Sequence, residues 1–175
     1  MDDGMPVAHR ATPLTRHFAA AFFFVHVAFP IFCGAAIYSM WRSKTLLVFT
    51  WYRWADFYTP IMSLRSHVSG VRHLVPGPIL YSLPDALWVY SFTAFIQYLW
   101  AKQPRGYGKT LWPLLPVALA SGAEVGQFFA MVPGTFDPVD LLAYVVAWKA
   151  ASISVNASIA KSGRRTAEGY IAREI

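Results

Sequence analysis

Four stretches of this chain, about 18–41, 84–100, 111–132 and 141–160, are long apolar runs, and that grouping restricts the fold more than any motif does. A helix of about 20 residues crosses a hydrocarbon core of about 30 Å. Lipid offers the backbone no hydrogen-bond partners, so such runs must satisfy themselves internally, as helices. Only 14% of the residues are charged, against about 25% in an average soluble domain. The expected fold is therefore all-α: a polytopic transmembrane bundle of four spans forming one domain over 18–160. Residues 1–17 read as a polar N-terminal tail, because Asp2, Asp3, Pro6 and Pro13 disfavour an early helix. Residues 161–175 read as a basic C-terminal tail. The first run is about 24 residues long, which exceeds the h-region of a cleaved signal, about 7–15 residues. Pro30 should kink that span.

The segment between the first two runs is mixed. Leu47, Trp51, Trp54, Tyr58 and Ile61 share a helical face, so residues 45–62 read as an amphipathic interfacial helix. The rival reading is a fifth span carrying an Arg53–Asp56 pair, at the cost of two charges near mid-membrane. Residues 75–84 are rich in Pro and Gly and read as a loop.

Lys102, Arg105 and Lys109 crowd the loop 102–110, Lys161, Arg164 and Arg165 follow the last run, and the turn 133–140 has no cation. The positive-inside rule puts the loop and the C-terminus in the cytoplasm and the turn outside, as a multi-pass membrane protein. This accounts for the net charge of +6 better than nucleic acid does, since no basic stripe with stacking aromatics lies outside the apolar runs. Cys33 stands alone, so no disulfide or thiolate metal site can be built.

The residues that could carry chemistry collect near the outward turn. Glu124 and Lys149 lie roughly 12–14 Å below it on adjacent helices, and an ion pair between them is how such charges are usually accommodated. Gln127 follows Glu124 by three positions, on the same face. Asp137 and Asp140 sit in the turn and Asp85 opens the second span; Asp85 and Asp140 are each placed to cap a helix. Arg65, His67, Arg72 and His73 belong to the segment that returns to this face and could hold an anionic headgroup. The candidate recess is thus Glu124, Gln127, Asp137, Asp140, Asp85, Lys149, Arg65 and Arg72. No catalytic residue and no cofactor is assigned; a metal, if any, would fall to Asp85, Asp137 and Asp140. His26, Gln97 and Asn156 form a lower polar layer. No zinc, P-loop, dinucleotide or nucleophile-elbow motif occurs.

Glu124, Gln127, Pro133, Gly134, Asp137 and Asp140, together with Pro84, Asp85 and Trp88, resemble the pattern of the VanZ-like family of small bacterial membrane proteins. Those regions cover roughly a quarter of the chain. Thr135 stands where a basic residue is common in that family, Tyr144 where an Asn often follows, and Lys149 in a normally glycine-rich helix. The resemblance implies a cell-envelope protein, linked in its founding type with glycopeptide (teicoplanin) resistance, and no established reaction.

Three functions follow as expectations. The first is binding of a lipid-linked or glycopeptide ligand in an outward acidic recess, with membrane lipid as the partner. The second is an accessory subunit of a larger membrane complex or a homo-oligomer. The third is a metal-assisted lipid-phosphate enzyme. A transporter would need an oligomer to build a pathway.

Overall fold

The computed structural model describes residues 13–101, 103–104 and 106–171, and every regular element among them is helical. Helix α1 (Pro13–Phe23), a π turn (Phe24–Ala28) and α2 (Phe29–Trp41) form one uninterrupted rod. Two short helices follow, α3 (Leu47–Trp54) and α4 (Tyr58–Val68), then a 3-10 turn (Ser69–Leu74) and α5 (Gly77–Tyr81). Helix α6 (Leu83–Trp100) leads to α7 (Tyr107–Leu111), a 3-10 turn (Trp112–Leu114) and α8 (Leu115–Phe128). The long α9 (Pro138–Ile171) closes the fold.

Helix α6 is the hub. It packs against α9, α2 and α8, so Ala86, Val89, Ser91, Thr93 and Ala94 form a broad buried face, while Trp88, Phe92, Phe95 and Leu99 stay exposed on the other. Most of the buried ones are small, which lets the helices approach closely. Ala147, Ala151 and Val155 of α9 answer them. Gly34 of α2 shows how tight the α2–α6 contact is, since a Cβ there would lie 3.0 Å from the Pro84 carbonyl oxygen.

Two helices are long and apolar enough to cross a membrane, over His17–Trp41 and Pro138–Arg164. Their faces are studded with exposed Phe24, Phe32, Val146 and Ile153. Helix α6 has 18 residues and α8 has 14.

Several boundaries differ from the sequence reading. The N-terminal helix is already present at Pro13, inside the expected tail; residues 1–12 lie outside the described residues. Just before Pro30, the expected position of a kink, the helix runs through a π turn. Pro30 has no N–H to donate to His26, and widening the preceding turn accommodates that gap. The interfacial helix expected at 45–62 is two helices, broken where Asp56 adopts a left-handed φ of 58°. Arg53 does not pair with Asp56 but lies over the Tyr58 ring, 4.7 Å from its centroid. At 8 and 11 residues, neither piece alone is long enough to span a bilayer. Helix α5 replaces part of the expected 75–84 loop. The basic tail is helical as far as Ile171, continuing α9 without a break; residues 172–175 lie outside the described residues.

Candidate functional site

The third apolar run ends earlier than its hydropathy suggests, and that shapes the site. Helix α8 stops at Phe128 in a Schellman motif: Met131 N–H bonds to the Gly126 carbonyl (2.8 Å) and Ala130 N–H to the Gln127 carbonyl (3.0 Å). Ala130 takes the left-handed position, φ 54°, where glycine is usual. The chain then folds back over its own helix end. Glu124 therefore lies about one turn below the end of α8 and faces the start of α9.

Glu124 is 5% exposed. Its Oε2 accepts the Asp137 backbone N–H (3.2 Å) and its Oε1 is 3.5 Å from the Tyr144 hydroxyl, the outer limit for that bond. It ties three pieces together: α8, the turn and α9. The expected Glu124–Lys149 pair is not formed. Lys149 is exposed, with Nζ over the Trp148 ring at 4.7 Å. The reason is angular: Tyr144 faces Glu124, and five residues further along a helix lies about 140° away. Matching depth did not mean matching face.

The capping roles also shift. Asp137 is the cap of α9, its Oδ1 accepting the Val139 N–H (2.8 Å). Asp140, expected in that role, lies in the first turn, and its Oδ1 is buried with no hydrogen-bond partner among the described residues. Asp85 likewise lies inside the first turn of α6, because the helix begins at Leu83.

A cavity of about 920 Å³ opens at this end of the bundle. Glu124, Gln127, Asp137, Asp140, Asp85, Arg65 and Arg72 all line it, and Lys149 does not. Gln127 packs beneath Gly134, where a Cβ would come within 2.5 Å of the amide carbon and where φ is +146°.

The basic wall contains one residue that the sequence reading missed, Arg42. It sits between two aromatic rings, 5.1 Å from the centroids of both Tyr38 and Tyr81. In the sequence Arg42 is only a cation ending an apolar run; its aromatic clamp joins Tyr38 to a residue far along the chain. Tyr144 was also missed as a site residue, although its i, i+4 spacing from Asp140 was a usable signal. Arg65 has a tethering role: Nη1 donates to the Ser39 carbonyl (2.9 Å) and Nη2 to the Arg42 carbonyl (2.6 Å), capping α2 from α4. Burial first, then the charge of Arg72, push its guanidinium below the ordinary arginine value, and it stays charged at any physiological pH. Arg72 Nη2 donates to the Tyr81 hydroxyl (3.4 Å).

His67 is bonded to the Ser63 carbonyl (2.7 Å) and, like His73, stays outside the cavity. The lower layer divides in two. His26 contacts Tyr90 (2.8 Å) and Ser158 (3.2 Å), and Gln97 donates to Ser152 (2.8 Å). Gln97 and Asn156 share a smaller cavity at the opposite end of the bundle. Among the described residues, no group of three or more His, Cys, Asp or Glu is arranged to hold a metal ion, so Asp85, Asp137 and Asp140 do not form such a set.

The recess thus sets arginines from α2, α4 and the following 3-10 turn against carboxylates from α6, α8 and α9. Comparison with family models, curated proteins and solved structures finds no match to this chain.

Proposed function

We propose that this is a four-span protein of a bacterial cytoplasmic membrane that binds the polar headgroup of a lipid-linked or glycopeptide ligand in the recess between α2, α6, α8 and α9. In this reading α6, about 27 Å long, is the second span. The helical run from Tyr107 to Phe128, about 33 Å, is the third. The recess then faces outward, opposite the basic loop 102–110, and the resemblance to the VanZ-like family belongs to the same proposal.

One observation carries it: seven of the eight residues singled out by charge and position line a single cavity, although they come from five separate parts of the chain. Carboxylates and guanidinium groups sharing a cavity suit a ligand that itself bears charge or many hydrogen-bonding groups. Glu124 positions rather than binds, since its two oxygens hold the turn and Tyr144.

The test is Glu124→Gln in a host whose teicoplanin susceptibility changes when the protein is expressed. The neutral amide cannot accept both donors equally well, so the turn should loosen and the change in susceptibility should disappear. Membrane levels, read by immunoblot, should stay at wild type. A parallel fall in protein level would make Glu124 a packing residue only. An undiminished phenotype would remove the recess from the function.

A further inference from the structure

An apolar groove of about 490 Å³ lies beside the recess, enclosed by α2, α3 and α6. Ile31, Ala35, Leu47, Val48, Trp51 and Trp88 line it, and Tyr38, Leu46 and Asp85 border both cavities. Its volume falls within the range of small-molecule sites, roughly 300–1,000 Å³. A polar cavity and an apolar one that share a wall suit an amphipathic ligand.

Resting on the binding role proposed above, we propose that the ligand is an aminophospholipid of the bilayer, with its chain in this groove and its headgroup in the recess. The charges define the headgroup. Arg42 and Arg72 are held by tyrosine rings and a phenol hydroxyl, which leaves their N–H groups suited to a phosphate. Arg65 has committed two of its donors to carbonyls of α2. The opposite wall is acidic, with Asp85, Asp137 and Asp140 lining the recess, and an ammonium group on the ligand suits it. Asp85 stands where headgroup and chain meet. The groove's aromatic flank, Trp51 and Trp88, is more than 40% exposed, as expected of rings at the membrane interface.

The test is native mass spectrometry of the delipidated full chain in detergent, titrated with phosphatidylethanolamine and, separately, with phosphatidylglycerol of the same chains. The wild type should retain phosphatidylethanolamine about tenfold more tightly. Ala35→Phe, which fills the groove, and Arg42→Gln, which weakens the basic wall, should each lower that retention by about tenfold. Loss with Arg42→Gln but not with Ala35→Phe would overturn the groove assignment and leave the recess reading intact. Retention unchanged in both variants would sink both. Equal retention of the two lipids would overturn the role given to the amine. Should Ala35→Phe not fold, phosphatidylethanolamine with a diazirine on its chain provides a second measurement on the wild type. Adducts concentrated at 31–35 and 46–51, and reduced by Arg42→Gln, are expected; adducts spread evenly over the lipid-facing helices would overturn the proposal.

Discussion

Glu124 and Lys149 show how a single residue's role turns on its direction. Both are charges in apolar helices, yet one is buried under two hydrogen bonds and the other is exposed beside an indole. Lys149→Gln should therefore leave the unfolding free energy within about 0.5 kcal/mol of wild type, as exposed substitutions usually do. A chemical-denaturation series in detergent micelles measures this, and a loss of several kcal/mol would restore the ion pair. Gly134 is the opposite case. Gly134→Ala places a Cβ against the Gln127 amide at a φ that side chains rarely adopt, so it should destabilise by about 1–3 kcal/mol. Adding Gln127→Ala removes the clash but not the backbone strain, so the double variant should recover only part of the loss. Full recovery would show that φ at residue 134 is not restrictive.

At the scale of elements, the bounds of helices depend on local bonding that hydropathy does not register. The third apolar run continues through Met131 and Val132, but its helix ends at Phe128 because a Schellman turn takes its last carbonyls. Ala130 adopts the left-handed conformation in that turn, which costs a non-glycine residue about 1–2 kcal/mol. Ala130→Gly should raise the thermal midpoint, with a net stabilisation of about 1 kcal/mol. An unchanged or lower midpoint would mean that the methyl group contributes packing that offsets the backbone cost. The early stop matters to the site, since it frees residues 129–137 to fold over Glu124. The interfacial segment differs from expectation for a related reason. Its apolar positions were legible, but the left-handed break at Asp56 was not, and that break lets α4 turn back so that Arg65 reaches the end of α2.

At the scale of the whole molecule, the chain gathers two kinds of ends. The turn 133–140, the start of α6 and the end of α2 meet around the recess, while Gln97, Lys109 and Asn156 meet at the opposite end. Segment 42–82 brings Arg42, Arg65 and Arg72 to the recess, where Asp85, Glu124, Asp137 and Asp140 also lie. Orientation is therefore best measured by labelling. With Cys33→Ser as background, a cysteine at Thr135 should react with an impermeant maleimide added to intact cells, and a cysteine at Gln103 should react only after lysis. The reverse pattern would turn the recess to the cytoplasm.

The sequence alone was sufficient for the all-α class, the apolar rods and the residue types near one turn. Those depend on composition and on runs of neighbouring residues, which are local quantities. The tertiary structure decided which of those residues meet. It brought Arg42 between two tyrosines, gave Tyr144 to Glu124 and turned Lys149 away. The physical reason is that helix rotation and the backbone path after Phe128 set direction. Rotation follows from the packing of small residues on α6 against its neighbours, and the path from the Schellman turn and the Glu124 bond to the Asp137 N–H; no single run of the chain encodes either contact across elements.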